Sequence, residues 1–127
     1  MEIETEIRVR YNECDPMGVV HHAIYPIWFE MGRTELLRSQ GGCYKNLEED
    51  NMFLAVSELH IKYKASAKYD DELTLITKLN EATRVRLTHS YTLVRGNQAI
   101  ATASTVLVCV NERGTIREIP QSLLGSG

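Results

Sequence analysis

Residues 23–39, AIYPIWFEMGRTELLRS, constrain what this chain can fold into more than any other stretch. They read as one helix. Pro26 fits the first turn, where its missing N–H does no harm. Gly41-Gly42 stops the helix. Ile24, Tyr25, Ile27, Trp28, Phe29 and Met31 cover most of the circumference of its first half. A helix that is apolar on so many sides has to be enclosed rather than laid on a surface.

The rest of the chain offers the enclosure. Residues 2–10 alternate, with Ile3, Thr5, Ile7 and Val9 against Glu2, Glu4, Glu6 and Arg8, as a strand with one wet face does. Residues 11–22 read as a loop, and the polar stretch 44–50 as a short helical turn. Phe53-Ala55-Ser57-Leu59-Ile61-Tyr63 then alternates with Glu58, His60, Lys62 and Lys64. Further strands are expected over 72–82, 84–95 and 98–111. Asp70-Asp71 and Gly96-Asn97 mark turns between them. The link at 81–84 fits either a continuous hairpin or a bend. Pro120 is expected to start a short C-terminal helix, and Gly125-Ser126-Gly127 to fray. One long apolar helix with about five strands is an α+β arrangement, the sheet wrapped round the helix. Residues 99–110, AIATASTVLVCV, are apolar or small on both faces. One face covers the helix, and a partner subunit is expected on the other.

Composition narrows the function. The chain has 127 residues and 43% hydrophobic content, the size of a single domain over 1–127. The net charge is -3 and the pI about 5.8, with no basic block, which argues against nucleic acid as a partner. The start, MEIETEIRVRY, lacks an apolar signal region, and no stretch is long enough for membrane insertion. Cys14, Cys43 and Cys109 are widely spaced and odd in number, suiting neither a metal pair nor a disulfide framework. A cytoplasmic location is expected.

The chemistry concentrates just before the helix, in YNECDPMGVVHHAIYPIWFE, residues 11–30. Asp15 sits in a turn-prone segment with Pro16 and Gly18, followed by His21 and His22. Free N–H groups at a helix start favour negative charge. A carboxylate beside such donors can hydrolyse a carbonyl compound through an oxyanion. Each residue also has a plainer role open to it. An Asp before Pro is a turn former, His22 can cap the helix, and Tyr11 can pack under the loop. Glu30 can pair with Arg33 or Thr34. A catalytic Cys14 is disfavoured, because a neighbouring carboxylate suppresses the thiolate. His60 and His89 have no metal-ligand spacing, and neither a metal nor a cofactor is expected.

The same segment resembles the signature of hotdog-fold acyl-CoA thioesterases. Within these it is most similar to the 4-hydroxybenzoyl-CoA thioesterase-like branch, which includes Tol-Pal-associated bacterial enzymes. The matching positions are Tyr11, Asp15, Gly18, His22, Tyr25 and Glu30. The resemblance implies a hotdog fold, a five-stranded antiparallel sheet wrapped around a long central helix. It implies a homodimer or homotetramer with sites between subunits, and an acyl-CoA substrate. It makes Asp15 the catalytic base or nucleophile, with His22 and Tyr11 as supporting groups and the His22 N–H on the thioester oxygen. Gly18 and Tyr25 then contact substrate. Lys62 and Lys64, with Lys68, Arg84 and Arg86, are candidates for the CoA phosphates. Trp28, Phe53 or Met17 would touch the acyl group. Aryl-CoA and acyl-carrier-protein thioesters remain open, as do a non-catalytic acyl-CoA binder and a hydratase on the same fold.

Overall fold

The computed structural model describes residues 1–120. Strand β1, Glu2–Arg8, is followed by a 3-10 turn at Tyr11–Glu13 and another at His22–Ile24, which leads into helix α1, Tyr25–Ser39. A short helix α2, Tyr44–Glu49, precedes strands β2, Phe53–Tyr63, β3, Glu72–Ala82, β4, Arg86–Arg95, and β5, Gln98–Val110. The strands form one antiparallel sheet in the order β1-β3-β4-β5-β2. The expected C-terminal helix and frayed tail lie outside the described residues, apart from Pro120 itself.

Local chemistry accounts for the boundaries. Pro26 takes the second position of α1. At the other end Gly41 has φ 82, and the Gly41 and Gly42 N–H groups close onto the Arg38 and Leu37 carbonyls, satisfying the last turn. Gly96, φ 60, opens the two-residue loop that joins β4 to β5. The link at 81–84 belongs to a continuous hairpin, with Ala82 paired to Leu87 and the Thr83 N–H bonded to the Arg86 carbonyl at 2.8 Å.

Helix α1 packs over β1 and β3. Trp28, Phe29, Leu73, Leu75, Tyr91, Leu93 and Ile100 form the main core beneath it. Gly32 sits at the tightest point: a Cβ there would lie 2.2 Å from Thr77 Oγ1 and 2.9 Å from Leu75 Cδ2. Only a residue without a side chain lets the helix approach this closely. A smaller cluster of Leu47, Met52, Leu87, Leu107 and Cys109 fills the space under α2.

The enclosure is incomplete within one chain. The sheet packs round one side of α1 as expected, but Ile27 and Met31 on its other side are exposed. The helix lies toward β1, so the β2 side of the same sheet face stays open. Strand β2 also departs from strict alternation. A bulge between Val56 and Glu58 shifts its phase, so Leu54 and Val56 stand opposite buried Cys109 and Leu107, and Leu59 and Tyr63 opposite buried Thr105 and Ala101. Leu54, Val56, Leu59, Ile61 and Tyr63 therefore share the helix-side face, while Phe53 falls on the outer one. Val56, Leu59 and Tyr63 are exposed there. Strand β5 lies inside the sheet between β4 and β2, and its outer face, where a partner is expected, carries half-buried residues.

One buried polar cluster runs beneath the second half of α1. Arg33 Nη1 donates to the Tyr91 hydroxyl at 3.1 Å, and that hydroxyl lies 2.6 Å from Thr105 Oγ1. His89 is buried beside them. Burial, and then the Arg33 charge, push its pKa down to about 4. The unfolded chain takes up this proton near pH 6.5, and the folded chain only near 4. Acid therefore favours unfolding across that window. Urea denaturation is expected to show stability falling from pH 6.5 toward 4, by at most about 1.4 kcal/mol per pH unit from this residue. His89→Phe is expected to flatten that slope. Parallel losses in the variant and the parent would assign the effect elsewhere.

Candidate active site

The loop before α1 is a miniature hairpin. Cys14 pairs with Val20. The Asp15 N–H reaches the Val19 carbonyl at 2.8 Å, and the Gly18 N–H reaches the Asp15 carbonyl at 2.9 Å. Asp15-Pro16-Met17-Gly18 is thus a four-residue turn with Pro at its second position. Gly18 has φ 82, a conformation that suits glycine, and nothing lies within 4 Å of the place a Cβ would occupy. The glycine is required by the dihedral, and it leaves open space beside the turn.

Asp15 is half-buried. Its Oδ1 accepts the Met17 N–H at 2.9 Å, which orients the carboxylate. No side-chain hydrogen bond occupies Oδ2 among the described residues. The turn-forming role is therefore real, but it uses one oxygen and leaves the other available.

The helix start supplies a donor. The Val20 N–H goes to the Ala67 carbonyl at 2.8 Å, the His21 N–H to the Glu13 carbonyl at 2.9 Å, and the Ile24 N–H to the His21 carbonyl at 3.0 Å. The Ala23 N–H goes to His21 Nδ1 at 3.0 Å, so His21 is the capping residue. The His22 N–H alone in this run has no acceptor among the described residues. The His22 carbonyl accepts the Tyr63 hydroxyl at 3.0 Å, tying the end of β2 to the helix start. His22, Tyr25, Tyr63, Lys64 and Val20 line a cleft of about 260 Å³. Tyr25 forms its buried wall, edge-on to Tyr63 and Trp28 at 5.1 and 5.3 Å between ring centroids.

Other expected site residues stand apart. Tyr11 is 79% exposed, edge-on to Tyr69, and its hydroxyl makes no hydrogen bond to Asp15. The His22 ring stacks on His21 at 4.3 Å and makes no hydrogen bond to Asp15 either. Lys64 reaches the cleft, whereas Lys62 lines a separate groove with His60, Thr102 and Ser104. Arg84 pairs with Glu118. Trp28 is fully buried, so it is removed from contact with an acyl group, while Met17 and Phe53 are exposed. Among the described residues no cluster of three metal-ligating side chains occurs. Among the described residues no helix is long and apolar enough to cross a membrane.

Sequence reasoning missed Glu13. It is 4% exposed, and its carboxylate accepts the Arg10 N–H at 2.7 Å, the Arg10 guanidinium at 3.3 Å and the Trp28 indole N–H at 3.0 Å. With its carbonyl on the His21 N–H, Glu13 holds the start of the loop to the start of the helix. The i,i+3 spacing to Arg10 was the only local signal. The Trp28 bond crosses fifteen positions and forms only once α1 packs.

Comparison with known proteins agrees with this architecture. The model of the thioesterase-like superfamily matches residues 9–126. The acyl-CoA thioesterase YbgC of Haemophilus influenzae is 34% identical over 83% of this chain and 78% of its own length. The crystal structure of the DHNA-CoA thioesterase of Staphylococcus aureus superposes with a TM-score of 0.86 at 31% identity, covering 93% of this chain and 79% of that one. A 4-hydroxybenzoyl CoA thioesterase, 20% identical, shares the fold with a TM-score of 0.85 over 98% of this chain and 99% of its own.

Glu13→Ala leaves the buried indole N–H of Trp28 and the part-buried backbone N–H of Arg10 without an acceptor. It is expected to lower stability by about 1–3 kcal/mol in urea denaturation and to speed hydrogen exchange at His21 and Asp15. Unchanged exchange at both amides would remove Glu13 as the anchor of the loop.

Proposed function

The chain belongs to the thioesterase-like superfamily, and from that premise we propose that it hydrolyses acyl-CoA thioesters with Asp15 as the working carboxylate. The observation that carries this reading is one carboxylate oxygen held by the Met17 N–H while the other stays free, in the loop leading to the unpaired His22 N–H. A thioester carbonyl seated between them meets a base on one side and a donor on the other. Asp15 Oδ2 takes a proton from water as the water oxygen attacks the carbonyl carbon, and the His22 N–H holds the oxygen that becomes negative. Collapse of the tetrahedral intermediate breaks the C–S bond, giving the acid and CoA thiolate. Direct attack by Oδ2, forming a mixed anhydride that water then opens, uses the same atoms. Neither route calls for a metal or cofactor. The His22 imidazole stands near the leaving sulfur as a proton donor. Tyr25 and Gly18 border the path of the substrate, and Lys64 offers a charge to the CoA phosphates. Tyr11 supports Asp15 through the backbone, its carbonyl accepting the Cys14 N–H at 3.2 Å.

The working unit in this reading is a homo-oligomer of single-domain chains. Val56, Leu59 and Tyr63 on the open side of the sheet, with Ile27 and Met31 on α1, leave apolar surface that a second copy would cover. As an edge strand, β2 also presents unpaired backbone groups. Three free cysteines suit a reducing, cytoplasmic compartment.

Asp15→Asn keeps an oxygen for the Met17 N–H, so it removes the charge and spares the turn. Thiol release from a panel of acyl- and aryl-CoA thioesters is expected to fall by about 10²–10⁴-fold in kcat. Activity within threefold of the parent, or none from either protein on any substrate, would sink the assignment. Leu59→Lys is expected to yield a monomer by sedimentation and to lose activity with it; a fully active monomer would refute a shared site.

A further inference from the structure

A second polar site lies beneath the C-terminal half of α1, away from Asp15. Arg33, 8% exposed, and His89, 4% exposed, line one small cavity of about 20 Å³, together with Tyr44, Gln40, Leu79 and Leu87. Arg33 has hydroxyls for partners, Tyr91 at 3.1 Å and Tyr44. Among the described residues no carboxylate lies within 4.0 Å of its guanidinium. Glu30 and Glu48 line a neighbouring groove of about 320 Å³ that Arg33 also borders, but neither pairs with it. His89 Nδ1 is buried and has no hydrogen-bond partner among the described residues.

A buried guanidinium without a counter-charge is costly, and so is a buried ring nitrogen without a partner. One occupant relieves both. We propose that Arg33 and His89 bind a small monovalent anion of halide size in this cavity. The Arg33 guanidinium and the Tyr44 hydroxyl can donate, and so can His89 in the tautomer that carries its proton on Nδ1, which suits an acceptor that carries charge. The cavity takes one particle about the size of a water, so phosphate and sulfate are too large. A water alone would satisfy Nδ1 and leave the charge of Arg33 unmatched.

The test uses the full chain at pH 7.5. Bromide-soaked crystals are expected to show an anomalous peak between Arg33 and His89. In solution, Tm is expected to rise by several degrees, saturably, with sodium bromide or chloride, whereas sodium sulfate gives only the linear, non-saturating rise of an excluded salt. Arg33→Met keeps the volume and removes the charge. It is expected to abolish the halide dependence and to match or exceed the parent's Tm in halide-free buffer. Should that variant fail to fold, His89→Phe, which keeps the charge but removes a donor, is expected to raise the half-saturating halide concentration at least tenfold. A halide dependence of Tm with no saturating component, bromide only at other sites, or halide dependence unchanged in the variant that folds would each overturn the proposal.

Discussion

The contact of Gly32 with Thr77 and Leu75 sets the position of everything else. Because no side chain intervenes, α1 seats directly on β3 and Trp28 and Phe29 reach the core. The helix start then falls beside the 65–67 segment, where the Val20 N–H meets the Ala67 carbonyl. Asp15, the free His22 N–H and the cleft lined by Tyr25 and Tyr63 all follow from where that first turn is held. The same close seat over β1 and β3 leaves the β2 side of the sheet uncovered. The apolar strip from Val56 to Tyr63 is thus the counterpart of the tight packing opposite.

The loop joins two kinds of constraint. Asp-Pro-Met-Gly makes its own turn from local chemistry, with Oδ1 of Asp15 and the left-handed Gly18 doing what those residues do in many turns. Its attachment to the helix is long-range and rests on Glu13, Trp28 and the His21 N–H. A turn alone would orient the carboxylate relative to itself. The buried Glu13 network orients it relative to the His22 N–H, and the roles proposed for the two require a fixed separation.

Much of this was legible beforehand. The spans of β2 and β3, the short helix at 44–49, the glycine stop after Ser39 and the antiparallel sheet around one helix all follow from alternation, helical periodicity and turn residues. His21 and His22 were not separable by sequence, since both precede the helix; the structure makes His21 the cap and leaves His22 exposed. Trp28 looked like a ligand contact because it is large and apolar, yet its indole N–H serves Glu13. The bulge at Ser57 defeated the alternation argument for β2, because one extra residue moves Val56 onto the helix side and Phe53 off it.

The sequence by itself determined the elements, the fold class, the family resemblance and the turn that presents Asp15. These depend on residues close along the chain or on periodicities that repeat over a whole element. Tertiary structure decided which N–H of the helix start is free, which carboxylate is buried, which face of β2 stays open, and that Arg33 and His89 share a cavity. Those outcomes depend on pairs separated by many residues, whose meeting is set by how closely two surfaces pack and which side of a strand a bulge turns outward.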